Sequence, residues 1–191
     1  MSTRQRFIDV AADLFYTHGF HTVGLDNILD AVGVTKTTFY NHFESKDDLI
    51  IAVLDHRDRL EAEQLDRHVR EHASDDPRAQ LHAVFDYLHD WFASPDFHGC
   101  MFFNAALAYP SPTDPINLAA VAHSRSFFEY LRTLAEKADA DDPARLAEQL
   151  LLLVSGAVAS THFNGQPAGN IARDVAHTLI EHHLAQPLPR H

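Results

Sequence analysis

The sequence predicts an all-α protein of about nine helices, and three observations carry that prediction. Apolar residues recur at three- and four-residue spacings through most of the chain. No sustained apolar–polar alternation marks a strand. Gly, Pro and Ser/Asp clusters interrupt the pattern where helix caps and turns are needed. The 191 residues suffice for one domain or two small ones, with a core that needs no cross-links. A single Cys excludes an intrachain disulfide framework and any Cys-based zinc module. No uninterrupted apolar stretch reaches the ~18 residues of a membrane span, and no apolar leader follows Met1-Ser2-Thr3-Arg4. A soluble, cytoplasmic protein with no membrane partner is therefore expected.

Phe7, Val10, Ala11, Leu14 and Phe15 share one face of a first helix, which Gly19 stops near a left-handed C-cap. A short second helix runs through Leu25 and Ile28 to Ala31, and Gly33 breaks it. Thr35 is placed to cap a third helix through Phe43. Ser45 caps a fourth, with Asp47 and Asp48 in its first turn and Leu49, Ile50, Val53 and Leu54 facing inward. After the polar break at His72–Pro77, Asp76 and Pro77 start a fifth, with Leu81, Val84, Phe85, Leu88 and Phe92 as its stripe. Ser94-Pro95 ends it. Gly99 to Tyr109 is apolar nearly all round and reads as a buried sixth helix. The seventh spans Ile116 to about Ala138, and Asp142-Pro143 opens an eighth with Leu146, Leu150, Leu153, Val154 and Ala157 on one side. Asn164-Gly165-Gln166-Pro167 turns the chain into a ninth, Ile171 to Ala185. A loose Pro-rich tail follows Gln186.

Charge gives no support to nucleic-acid binding. The net charge is −12, and in residues 1–50 four cations (Arg4, Arg6, Lys36, Lys46) face seven carboxylates. Geometry points the other way. Two short helices joined by a tight Gly-containing turn form a helix-turn-helix pattern over about residues 24–43. With Phe39 and Phe43 turned inward, the 100° step puts Thr37, Tyr40 and Asn41 outward, and Lys36 at the leading turn. Such short polar side chains suit base edges and phosphates in a major groove.

Thr22, Gly33-Val34, Tyr40-Asn41-His42-Phe43 and Lys46 are spaced as in the TetR family of bacterial transcriptional regulators, which residues 5–55 resemble. Two positions depart from that pattern. Leu29 stands where Ala is usual, and Asp30 stands where a basic residue is common, which weakens phosphate attraction near the second helix. The resemblance implies a DNA-binding domain over 1–50 and an effector-binding and dimerisation domain over 51–191. It implies DNA contacts by Lys36, Thr37, Tyr40 and Asn41, and phosphate contacts by Thr35, Thr38, His42 and Lys46. It also implies a homodimer built as a four-helix bundle from the last two helices, through Leu150, Leu153, Val154, Val175, Leu179 and Ile180. The partners are then a double-stranded DNA operator and a small effector, with repression the expected output.

Aromatics from several helices suggest an apolar cavity with few polar groups. Its candidate lining is Trp91, Phe92, Cys100, Phe103, Asn104, Leu107, Phe127, Phe128, Leu131 and Phe163. Asn104 is the one amide on an otherwise apolar helix. Cys100 opens that helix, where the backbone dipole favours a thiolate, so an electrophile or redox sensor is an alternative. His68/His72, His82/Asp86/His89 and His182-His183 have spacings compatible with metal, but they sit beside the apolar stripes and read as solvated faces. No nucleophile–base or paired-carboxylate motif is found. The expectation is a non-enzyme without cofactor or metal, with metal-dependent hydrolysis in the His-rich region as the remote alternative.

Overall fold

A computed structural model describes residues 1–164 and 168–185. The side chain of Phe163, the Gly165–Pro167 turn and the tail from Gln186 lie outside the described residues. Among those residues there are nine helices and no strand: α1 (Thr3–His18), α2 (Leu25–Val32), α3 (Lys36–Tyr40), α4 (Lys46–Ala73), α5 (Pro77–Ala93), α6 (Met101–Ala108), α7 (Pro115–Lys137), α8 (Pro143–Asn164) and α9 (Gly169–Leu184). None is long and apolar enough to cross a membrane. The caps follow the local chemistry. Ser45 Oγ accepts from the Asp48 N–H (3.1 Å), and Asp76 accepts from the Arg78 N–H (3.0 Å) with Pro77 in first position. Gly19 does stop α1, but at φ 83°, ψ 158° it lies outside the left-handed helical well, in a positive-φ region that is essentially glycine's alone. Ser74 (φ 49°) and Asp139 (φ 55°) take left-handed backbone just past α4 and α7, where glycine is the usual residue.

The chain divides into two compact units. The first is Met1–Glu61 with Cys100–Ser124; the second is Ala62–Gly99 with the chain from Arg125 on. The boundary expected between residues 50 and 51 falls inside α4. The reason is in the core of the first unit. Leu49, Ile50, Val53 and Leu54 of α4 are buried with Phe7, Ala11 and Phe15 of α1, and the same cluster takes in Met101, Phe102, Ala105, Ile116 and Ala120. In that unit the Phe102 and His123 rings stack with centroids 3.6 Å apart, and His123 Nδ1 meets Asp58 Oδ1 at 2.6 Å. The sixth helix is not buried all round, however: Leu107 is 65% exposed.

The core of the second unit is built from α4, α5, α7, α8 and α9, around Leu81, Val84, Phe85, Leu131, Leu146, Leu150, Ala176 and Ile180. Leu150 and Ile180 have no exposed surface, which corrects their expected place in a dimer interface: they belong to the protomer's own core. Leu153, Val154 and Leu179 are partly buried against that core. Helix α9 starts so close to α5 that a Cβ on Gly169 would sit 3.0 Å from Phe92 Cβ. Across this contact Arg78 and His82 both bond Glu181, which holds that carboxylate's pKa below its usual value. His183 is buried yet satisfied, by Asp141 at 2.5 Å and Gln149 at 2.9 Å.

Other histidines in this unit are not so well served. His68 Nε2, His82 Nδ1, His89 Nδ1 and His177 Nε2 are buried without a hydrogen-bond partner. Burial, and then the neighbouring imidazole (His72 and His82 respectively), lowers the pKa of His68 and of His177 below 6.5. A depressed imidazole pKa contributes stability that is intact above the unfolded value and is lost as pH falls below it, because the unfolded chain then binds protons the folded one refuses. Thermal melts between pH 7.5 and 5 are expected to show a smaller loss of Tm in a His68→Leu/His177→Leu variant than in the wild type. An equal acid-induced loss in both proteins would refute the assignment.

Candidate nucleic-acid interface

The polar reading face is built on an aromatic knot. Phe7 of α1 meets Phe39 (5.4 Å, 81°) and Phe43 (5.9 Å, 87°) edge to face, and Phe39 lies 5.6 Å from Phe43. All three are at most 2% exposed. Gly33 turns α2 into α3. Its φ of 75° and ψ of 43° are left-handed, and its N–H and that of Val34 both close on the Leu29 carbonyl (2.8 and 3.2 Å). A Cβ there would oppose this backbone, so glycine is required at the turn. Leu29, larger than the family's usual residue, is accommodated at 7% exposure.

Thr35 caps α3, its Oγ1 accepting from the Thr38 N–H and bonding the Thr38 hydroxyl (3.1 Å). Helix α3 ends at Tyr40, three residues before the expected limit of Phe43. The His42 N–H reverts to the Phe39 carbonyl (2.9 Å), and this tighter turn swings Phe43 back onto Phe7. Lys36, Thr37, Tyr40 and Asn41 are all exposed on the outer side. Tyr40 keeps 53% of its surface free while its ring rests edge-on against Phe39. His42 is exposed as well, whereas the Thr35 and Thr38 hydroxyls are engaged in the cap.

Lys46 does not stand free as the expected phosphate contact. Its Nζ donates to the carbonyls of Phe20 (2.7 Å) and Val23 (2.8 Å), and burial lowers its pKa from 10.5. Two further features escaped the sequence reading. Arg6 donates to the Val32 carbonyl (2.7 Å), and Asn27 Oδ1 accepts from the Gly24 N–H (2.8 Å) at the start of α2. Asn27 sits at the third helical position, where a side chain can reach back to the N-cap N–H as in half a capping box, and that local spacing was legible. The reach of Arg6 across 26 residues had no such signal.

The expected effector residues separate between the two units. Trp91, Phe92, Phe127, Phe128 and Leu131 lie in the second, and Cys100, Phe103, Asn104 and Leu107 in the first. Trp91 and Phe92 cluster with Phe97 at centroid distances of 4.7 and 5.2 Å. Leu131 is fully buried and Leu107 mostly exposed, so neither fits as cavity lining. Cys100 caps α6, and the backbone N–H groups of Phe102 and Phe103 favour its thiolate. Burial and then Glu61 outweigh them and push the thiol up to about 11. That opposes the sensor alternative. Among the described residues, no group of three or more His, Cys, Asp or Glu side chains is arranged to hold a metal. His82 is bonded to Glu181, and Asp86 pairs with Arg173 (3.8 Å).

A glycine-turned pair of short helices, docked on a third and presenting a polar outer face, is a helix-turn-helix module of the kind that regulatory proteins carry. A sequence model described as bacterial regulatory proteins, tetR family, matches residues 7–53. The crystal structure of a TetR-family transcriptional regulator from Streptomyces coelicolor is 32% identical with a TM-score of 0.83, covering 95% of this chain and 94% of that one. The chain belongs to the TetR family. Among curated relatives, the HTH-type transcriptional activator FasR of Mycolicibacterium smegmatis is 30% identical over 133 residues, 67% of this chain and 58% of FasR. The HTH-type transcriptional regulator YjdC of Escherichia coli is 28% identical over 102 residues, 53% of this chain and 52% of YjdC. The match thus spans little more than half the length of these curated relatives.

The high thiol pKa makes Cys100 a measurable test of the site's chemistry. At pH 8 iodoacetamide is expected to alkylate it far more slowly in the folded protein than in guanidinium chloride, since only the thiolate attacks. Equal rates in the two states would restore Cys100 as a sensor.

Proposed function

We propose that the protein is a transcriptional repressor that binds a pseudo-palindromic operator as a dimer and is released by a small, largely apolar effector. The observation that carries this reading is the α3 face: Lys36, Thr37, Tyr40 and Asn41 stand exposed on a helix whose other side is anchored by Phe39. Lys36 and Thr37 sit at the start of α3, and that end of a recognition helix enters the major groove. Tyr40 and Asn41 follow, and His42 stays available to phosphate. Repression needs nothing beyond occupancy where the operator overlaps a promoter, because the bound dimer then denies that DNA to other proteins. The relative FasR is by its name an activator.

Dimerisation is supported by surface that the protomer leaves apolar. Leu152 of α8 is 73% exposed, and Ile171 and Val175 of α9 are 71% and 41% exposed. A two-fold contact through these helices buries the same patch on both copies. These residues, with Leu153, Val154 and Leu179 at the margin, replace Leu150 and Ile180 in the proposed interface. For the effector, Trp91, Phe127 and Phe128 of the second unit are half-buried aromatics suited to an apolar ligand. An effector that favours a dimer with wrongly spaced recognition helices lowers operator affinity, and operator DNA lowers effector affinity by the same factor.

In vitro selection from a random duplex library is expected to yield a pseudo-palindrome with half-sites one helical turn, or a multiple, apart. Tyr40→Ala should then weaken binding to the selected duplex by about 1–3 kcal/mol with an unchanged melting temperature. Full affinity in that variant would remove Tyr40 from the reading face. Sedimentation at micromolar concentration should show a dimer for the wild type and a monomer for Ile171→Glu/Val175→Glu. A monomeric wild type, or a dimeric variant, would overturn the proposed interface.

A further inference from the structure

The first 50 residues carry only four cations. Two of them are bonded to main-chain carbonyls at opposite ends of one helix. Lys46, the first residue of α4, reaches the Phe20 and Val23 carbonyls in the turn that leads into α2 (2.7 and 2.8 Å). Its ammonium also lies 5.9 Å from the centroid of the Phe15 ring. Arg6, on α1, reaches the carbonyl of Val32, the last residue of α2 (2.7 Å). A third cation, Arg4, lies over the Phe43 ring at 5.1 Å. Lys36 is exposed at the start of α3.

We propose that Arg6 and Lys46 are positioning residues of the DNA-reading unit, clamping α2 at its two ends to α1 and α4 and so setting the angle at which α3 meets a duplex. This rests on the DNA-binding reading above. The eight residues of α2 bury Ile28, Leu29 and Val32. Apolar contacts of that kind fix which face α2 buries but, being non-directional, leave the axis of so short a helix some freedom to tilt. Charge-assisted bonds to fixed carbonyls remove that freedom. Base readout needs such support, because a reading side chain must be held to within about 0.5 Å of its productive place.

A positioning role and a phosphate contact leave different marks. Losing a phosphate contact weakens binding to every sequence alike and lowers the slope of log K against log salt by about 0.9 for each contact. Losing a clamp weakens binding only where α3 must be placed accurately, and leaves the slope unchanged. Lys46→Met and Arg6→Met, compared with Lys36→Met on the selected operator and on a scrambled duplex, separate the two. The clamp variants are expected to lose about tenfold on the operator, little on the scrambled duplex, and nothing in salt slope. Lys36→Met should lose on both duplexes and in slope. Clamp variants that behave like Lys36→Met, or that bind the operator as the wild type does, would overturn the proposal.

A second measurement needs no variant. The chain has three lysines, Lys36, Lys46 and Lys137, and both Lys36 and Lys137 are exposed. In the free wild-type protein, acetic anhydride should acetylate Lys46 at least about tenfold more slowly than the other two. The neutral amine is the attacking group, and although burial enlarges its fraction at Lys46, the nitrogen is out of reach until the side chain leaves both carbonyls. Lys46 reacting as fast as Lys36 would refute the clamp even if Lys46→Met fails to fold. Failure to select any duplex would instead fall on the DNA-binding reading, and the modification rates would still decide whether the loop before α2 is held.

Discussion

The reading face depends on the contact among Phe7, Phe39 and Phe43. A helix of five residues has no stability of its own, because the cost of nucleation is not recovered over a single turn. Ordering five backbone residues costs about 5–10 kcal/mol. Burying three phenylalanines in mutual ring contact, two of the pairs edge to face, returns about 6–13 kcal/mol on the usual values for area and aromatic pairing. The two are comparable, so α3 exists only while it is docked. The same burial decides direction. Once Phe39 and Phe43 point at Phe7, the outward positions follow from the helix period, and no separate interaction is needed to turn Tyr40 outward.

Much of this architecture is legible in the sequence, because helix periodicity and caps are local signals. Asp76-Pro77, Ser45 and Thr35 each start a helix where their chemistry says they should. The left-handed Gly33 is likewise where a tight turn between helices requires it. Boundaries set by tertiary contact were less accessible. Helix α3 ends early because Phe43 has to return to α1, and nothing within residues 36–43 announces that. The division of the chain was hidden for a similar reason. Met101 and Ile116 read as parts of ordinary apolar helices, and only the fold places them with the core of the first unit. In the last helices, apolar residues occur on so many sides that periodicity could not sort Leu150, which is buried, from Leu152, which is bare.

Charge was the least readable property, since a formal charge does not say what it faces. The acidic balance of the N-terminal region argued against DNA, yet three of its four cations, Arg4, Arg6 and Lys36, are exposed, and only Lys46 is drawn in from the surface, against two main-chain carbonyls. Cys100 makes the same point with the opposite sign. A helix N-terminus favours a thiolate by position, yet desolvation is the larger effect at this site. Sequence position supplied the smaller of two opposing contributions, because burial is a property of the assembled core.

The shortness of α3 has an evolutionary consequence. Stability in this module is carried by Phe7, Phe39 and Phe43, while the exposed residues Lys36, Thr37, Tyr40 and Asn41 lie on the opposite side of the same turn. The two sets share no side chain. On the proposed reading, a duplicated copy of this gene could therefore drift toward a new operator through a handful of substitutions, each nearly neutral for folding, while its core remains under purifying selection.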